Sequence, residues 1–453
     1  MKILIKNFWN FKIAVLVDED NNIEDIIIDE IDKPKAKEIY LAKIKRRLDS
    51  MQCYFIDIGY EKNAFMKFKD KQDDKNNEFL VQVLKEGKTN KGPRVTQRIS
   101  LSGRFMVLLT DSNSIKISNK IVNEEERKRL RKIAKEIIKD SEYGILIRTN
   151  GELQSKDDIK KDYEYLKSIM DDLIKKSKNN IAPKLLFNKN EKIISFIKDN
   201  KNNIKNIILD DKEIYEEIIE LNKFYKDFDS KIIKLEYDEN YFEKYDVYKN
   251  IDELLSNEVS LNDEGSLIID ELEALNVIDI NTGKKTQGGN LKKIVHDINI
   301  KAAKEIIKQI KLRNLSGMII IDFIDTKDKS EKKEIENILK EGLKNQNANA
   351  YGFTRLNLFE ISRQREKKSL REYFIQNKKE NRNVNGNYLE FRIKREIELI
   401  KTNKIKEIIF YLEDRLMHLI NDIMIEEFEL KYNIKISFEH DKDKALLEIK
   451  KLK

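Results

Sequence analysis

Residues 276–281 read NVIDIN and residues 317–325 read GMIIIDFID. Both are short, β-branched runs of strand length. Between them, over about Leu291–Arg313, Ile294, Ile298, Ala302, Ile306 and Ile310 recur every fourth residue, the period of an amphipathic helix. Strand, helix, strand is a parallel crossover unit and predicts an α/β fold. Each run carries a carboxylate in apolar company: Asp279 between Ile278 and Ile280, and Asp322 between Ile321 and Phe323. Burying such a group is costly unless it is paired, hydrogen-bonded or bound to metal. Chemistry in open α/β sheets collects at the carboxyl ends of strands, where Asp279 and Asp322 can converge. Asn281 shares a side of its strand with Asp279, and Asp325 follows Asp322 by three residues. An oxygen-only set without nearby His or Cys suits a hard cation, Mg²⁺ or Mn²⁺. The alternative is that each aspartate caps a turn or pairs with a lysine. The loop after the first run, NTGKKTQGGN (281–290), carries Gly283, Gly288, Gly289, Lys284 and Lys285, with Asn290 as the helix N-cap. It either holds a phosphodiester on backbone N–H groups and lysines, or is an ordinary glycine loop.

The chain has 453 residues, 40% apolar and 38% charged, with a formal charge of +7. This excludes collagen-like, mucin-like and disulfide-scaffold classes and argues for packed cores. At ~150 residues per domain, two to four domains are expected. Cys53 is the single cysteine, and His296, His418 and His440 are widely spaced, so no disulfide and no Cys/His metal cluster is expected within one chain. No run approaches the ~20 apolar residues of a membrane span. Asn7, Asn10 and Lys12 interrupt the strand-like N-terminus, so no signal-peptide core forms, and the cytoplasm is the expected compartment.

Several short strands between about Ala36 and Leu109 suit a small barrel of the OB type. Within it Phe55 and Phe65 flank the Gly59 turn, with Tyr54, Phe68, Lys62 and Lys67 close by. Aromatic rings on such a face stack bases of any sequence; the alternative is that they are core. Lys88, Lys91, Arg94, Arg98 and Arg104 follow without an intervening acid, a local footprint for nucleic acid. At the end of GILIRTNG (144–151), Arg148 and Thr149 offer a guanidinium and a hydroxyl to a terminal phosphate. The polar run 376–387 (QNKKENRNVNGN) reads as a linker, and 388–453 as helix, strand, helix, strand.

Five ordered blocks carry a resemblance. They are KGPRVTQRISLSGRFMVLL (91–109), GILIRTNG (144–151), IDELEALNVIDINTGKKTQGG (269–289), LRNLSGMIIIDFIDT (312–326) and LFEISRQR (358–365). Together they resemble the bacterial ribonuclease E/G family of single-strand-specific RNA endonucleases, over about residues 1–375. At this length the chain is similar to the ribonuclease G type. The resemblance implies an α/β multidomain architecture. A ribonuclease-H-like domain (1–35 and 191–255) carries an inserted S1 (OB) barrel (36–110), followed by a 5′-sensor region (111–190). A deoxyribonuclease-I-like catalytic domain (256–375), the linker 376–387 and a small C-terminal α/β domain (388–453) complete it. It implies Asp279 and Asp322 as Mg²⁺ ligands, with Asn281 orienting the attacking water or the phosphate. It implies Phe55, Phe65 and Lys91 as RNA contacts, and Gly103, Val107, Arg148 and Thr149 as the pocket for a 5′ monophosphate. The implied activity is cleavage of single-stranded RNA in rRNA maturation and mRNA decay.

The family's CPxC motif, whose cysteines from two chains share zinc, has no counterpart after SRQR here. No structural zinc and a monomer or weak homodimer, without a zinc link, are therefore expected. Two rivals remain open from the sequence: a non-catalytic RNA-binding or ribosome-associated protein, and a phosphodiesterase for DNA or small nucleotides. The second leaves the barrel unexplained.

Overall fold

The computed structural model describes residues 1–453 except 32, 72–76, 88–90, 140, 189, 202–203, 226–231, 237–239, 263–264, 284–290, 327, 366, 379–380, 385, 401–406, 413–424, 427–428, 430–433, 441–446 and 453. The chain is mixed α/β and divides into two units.

The first unit comprises residues 1–29, 195–215 and 231–453. One of its sheets runs Ile233–Leu235, Asn206–Leu209, Lys2–Asn7, Phe11–Val17, Ile23–Glu30. Lys2–Asn7 pairs in parallel with Asn206–Leu209 and antiparallel with Phe11–Val17. A six-stranded sheet runs Glu258–Ser260, Gly265–Glu271, Leu275–Thr282, Gly317–Asp322, Leu358–Arg363, Ala348–Phe353. The crossover expected from the sequence is present: Leu275–Thr282 and Gly317–Asp322 pair in parallel, joined by the helix Leu291–Arg313. That helix buries Ile298, Ala302, Ile306 and Ile310. A second helix, Lys329–Leu343, is capped by the Asp328 carboxylate, which accepts from Ser330 N–H at 2.8 Å, and it buries Ile335, Leu339 and Leu343. These stripes join Leu267, Ile269, Ile278, Ile280, Ile319, Ile321, Phe359 and Ile361 in one core.

The core covers one face of the six-stranded sheet. On the Asp279 and Asp322 strands, buried residues alternate with exposed or half-exposed ones. Both aspartates lie among the exposed positions, which corrects the expectation of carboxylates buried inside apolar strands. Their isoleucine neighbours point to the opposite side of the pleat.

The polar run 376–387 also differs from its expected role as a linker. Ile375–Lys378 and Asn381–Val384 form an antiparallel hairpin, and a helix begins at Gly386. The pair Ile375–Val384 closes the base of the hairpin, and Ile375 packs against the core that includes Phe374 and Phe391. Further on, Glu407–Leu412 pairs in parallel with Lys435–His440 and antiparallel with Leu447–Leu452. Most of the helix expected between the first two of these strands lies outside the described residues.

The second unit comprises residues 30–194 and 216–230. Ile39–Leu48, Cys53–Asp57, Ala64–Lys67, Arg94–Thr96 and Glu78–Lys85 follow one another around a closed five-stranded barrel. The barrel closes where Ile39–Lys43 pairs with Glu78–Gln82. Ala42, Ile56, Ala64, Met66, Val81 and Val95 fill it. The barrel is shorter than the sequence suggested. The hairpin Ser100–Ser102/Met106–Leu109 leaves it and joins Gly144–Ile147 and Ile115–Ile117 in a separate four-stranded sheet. Pairing with a strand some 40 residues away satisfies its edge. Helices Glu124–Ile137 and Lys156–Lys178 are capped by Asn123 and Ser155.

Candidate functional site

Asp279 and Asp322 are direct register partners across the parallel strands. Laterally paired residues project from the same face at the ~4.8 Å spacing of neighbouring strands. Among the described residues neither carboxylate has a hydrogen-bond or ion-pair partner in the protein. Two like charges held side by side, with no counter-charge among the described residues, form an oxygen-donor site of negative potential. Asn281 lies two residues on, exposed and opposite Ser266. Asp325 does not join the pair as a free group; its Oδ1 accepts from Asn357 Nδ2 at 2.9 Å. No group of three or more His, Cys, Asp or Glu side chains able to hold a metal occurs among the described residues. Two carboxylates, with the other positions left to water, are the donor chemistry a hard cation such as Mg²⁺ takes rather than the nitrogen and sulfur set of structural zinc.

Two asparagines that the sequence reading did not single out hold this corner in place. Asn299, fully buried on the crossover helix, donates to Ile324 O at 2.9 Å and accepts from Ile324 N–H at 3.2 Å. It thereby pins the chain just past Asp322. At the other end of the strand pair, Asn276 donates to Ser316 O at 2.9 Å. Lys284, Lys285, Gly288, Gly289 and Asn290 lie outside the described residues. A cleft of about 1360 Å³ opens beside Thr282 and Gly283; among the described residues that line it, Lys301, Lys304 and Lys308 are matched by Glu253, Glu258 and Glu305.

In the barrel, Arg46 pairs with Phe55, Phe55 with Phe65, and Phe65 with Arg94, a single row across four strands. Both rings are half-buried and meet edge to face with centroids 6.4 Å apart. Arg46, exposed beside Phe55, is a cation that sequence spacing alone did not bring to the rings. Tyr54 is core, packed on Phe68 under the Arg47 guanidinium. The basic run separates. Lys91 is exposed beside Gly92, whose Cβ position would fall 2.0 Å from Asn63 O, a close approach that only glycine permits. Arg94 instead pairs with Asp70 at 3.1 Å, and Arg98 donates to Lys69 O at 2.7 Å. Lys88 lies outside the described residues.

In the four-stranded sheet, Gly103, Arg148 and Thr149 come together. Arg148 Nη1 donates to Gly103 O at 2.7 Å, and Thr149 Oγ1 lies 3.1 Å from Ser118 Oγ. Val107 pairs with Leu146, two residues before Arg148, and so faces the same side of the sheet. Arg148 and Thr149 are exposed and Val107 is half-exposed.

The sequence profile of the ribonuclease E/G family matches residues 100–366, a span that contains both the Asp279–Asp322 pair and the Arg148 turn. This chain belongs to the ribonuclease E/G family. Among its relatives, ribonuclease G of Salmonella typhimurium is 30% identical over 358 residues, covering 73% of each chain. Ribonuclease E of Haemophilus influenzae is 29% identical over 361 residues, 75% of this chain and 39% of the relative. A putative ribonuclease E of Buchnera aphidicola is 30% identical over 380 residues, 78% of this chain and 92% of the relative. In this member of the ribonuclease E/G family, no helix among the described residues is long and apolar enough to cross a membrane.

Proposed function

We propose that this chain is a Mg²⁺-dependent endoribonuclease that cleaves single-stranded RNA in rRNA maturation and mRNA decay and favours 5′-monophosphorylated substrates. The observation that carries the proposal is the lateral pairing of Asp279 and Asp322, neither of which has a partner among the described residues. When bound, Mg²⁺ would supply a water of lowered pKa and a positive charge that offsets the negative charge developing on the scissile phosphate. Asp279 and Asp322 would hold the ion, and the Asn281 amide would orient the water or the phosphate. Phe55 and Phe65 would stack bases, with Lys91 on the backbone. Two adjacent carboxylates with no partner among the described residues weigh against a purely RNA-binding role, because without a cation they repel phosphate. The closed barrel supports the S1 reading. The strand order around Lys2–Asn7 supports a ribonuclease-H-like domain, and the one-faced six-stranded sheet supports the deoxyribonuclease-I-like catalytic domain. The test is incubation with single-stranded RNA with and without Mg²⁺, followed by analysis of product ends. Metal-dependent internal cleavage leaving 5′-phosphate and 3′-hydroxyl ends is expected; intact RNA, or 2′,3′-cyclic ends, would refute the reading.

The 5′ preference rests on Gly103, Val107, Arg148 and Thr149. A guanidinium holds a monophosphate through two parallel bonds, and a hydroxyl end offers nothing comparable. Arg148→Leu is expected to erase any preference for 5′-monophosphate over 5′-hydroxyl RNA while cleavage of the 5′-hydroxyl substrate continues. A preference that survives the substitution would place the pocket elsewhere.

Cys53, the single cysteine, is buried in the barrel. Structural zinc takes about four nitrogen or sulfur ligands. We expect negligible zinc in the purified protein and a monomer or weak homodimer whose assembly is indifferent to zinc chelation. Light scattering combined with metal analysis checks this, and a stable dimer with one tightly held zinc per two chains would overturn it.

A further inference from the structure

The turn that carries Gly103 is closed by its own bond, Gly103 N–H to Met106 O at 2.9 Å, and is held from inside by a second element. Asp162, on the helix Lys156–Lys178, is fully buried and reaches into the turn. Its Oδ1 accepts from Arg104 N–H at 3.0 Å. Its Oδ2 accepts from Phe105 N–H at 2.7 Å and Met106 N–H at 2.9 Å. The Tyr225 hydroxyl also donates to Oδ1. Burial, with the Asp162 charge beside it, pushes the Tyr225 hydroxyl above its usual range and keeps it a donor. A carboxylate seated on three successive backbone N–H groups fixes their curvature from the inside.

The same turn holds Arg148 through its carbonyls. Gly103 O accepts from the Arg148 guanidinium at 2.7 Å, and Phe105 O accepts from Arg148 N–H at 2.8 Å. Asp162 also explains the glycine. A Cβ at position 103 would lie 2.3 Å from Asp162 Oδ1. We infer that Asp162, supported by Tyr225, is the positioning residue of the 5′-phosphate pocket, setting the aim of the Arg148 guanidinium through the Gly103–Met106 turn.

This inference rests on the monophosphate reading given above. Bidentate recognition fails when the guanidinium plane rotates, whereas a 5′-hydroxyl end makes no such demand. The experiment measures kcat and KM for two RNA oligonucleotides identical except for a 5′ monophosphate or a 5′ hydroxyl. They are compared in the wild type, Asp162→Asn and Tyr225→Phe, with thermal melting of each protein. Asp162→Asn sets an amide N–H₂ against the backbone donors, while Tyr225→Phe removes the hydroxyl that donates to Asp162 and keeps the ring. The ratio of the two kcat/KM values is expected to fall several-fold in Tyr225→Phe and toward one in Asp162→Asn. The change should enter through KM of the monophosphorylated substrate, with the hydroxyl substrate within about two-fold of wild type. Because the ratio is internal to each protein sample, a general loss of stability does not move it. If Asp162→Asn does not fold, Tyr225→Phe decides alone. A ratio unchanged in the folded variants, or an equal fall for both substrates, would overturn the inference. A wild-type ratio near one would remove the monophosphate reading itself, and this inference with it.

Discussion

Asp279→Asn and Asp322→Asn are each expected to abolish RNA cleavage, by roughly 10³-fold or more, and the double substitution is expected to add little. The reason is geometric. The two side chains leave adjacent strands at the same register on the solvent face of the sheet, so on the proposed reading each is half of one cation site. An asparagine keeps the shape but removes the charge a hard cation needs. RNA binding should persist or tighten slightly, because one carboxylate fewer faces the phosphates. Folding stability should be unchanged or raised, since neither aspartate has a partner among the described residues and each substitution relieves repulsion. Near-wild-type turnover in either variant would remove the pair from the reaction. A loss of activity accompanied by a large drop in melting temperature would make the pair structural.

Phe55→Ala is expected to weaken binding of single-stranded RNA by ~1–3 kcal/mol, about five-fold to over a hundred-fold in Kd. The ring stands at the centre of a row, between Arg46 and Phe65, and is only half-buried. A base stacked on it would also meet the Arg46 guanidinium, so Arg46→Ala should weaken binding in the same direction and flatten its salt dependence. The barrel core lies on the opposite side, in Ile56, Ala64, Met66 and Val81, so the melting temperature should fall only modestly. Unchanged affinity with a large loss of stability would assign Phe55 to the core.

How far these features could be read beforehand depended on whether their signals were local. The crossover from Leu275 to Asp322 was legible because a fourfold apolar period between two β-branched runs admits few other folds. The same pattern marks Asp279 and Asp322 but does not carry their exposure. An Ile-Asp-Ile triplet looks alike whether its aspartate lies inside a two-sided core or on the open face of a one-sided sheet. Asp162 was passed over in DDIKKDYEYLK, a segment crowded with acids and lysines, although a signal existed: it shares a buried stripe with Ile159, Tyr163 and Leu166. Asn299, beside Ile298 on the crossover helix, was hidden similarly. The pairing of Met106–Leu109 with Gly144–Ile147, and the hairpin at 375–384, depend on long-range or weakly patterned contacts that no short window contains.

The most direct measurement is single-turnover cleavage of a single-stranded, 5′-monophosphorylated RNA across a Mg²⁺ titration, with wild type, Asp279→Asn and Asp322→Asn run in parallel. The account predicts that the wild type is silent in chelator and that its rate rises to saturation with Mg²⁺. It also predicts that both variants stay at background throughout while still retaining the RNA. Cleavage by the wild type at an equal rate in chelator, or by either variant at the wild-type rate, would contradict it.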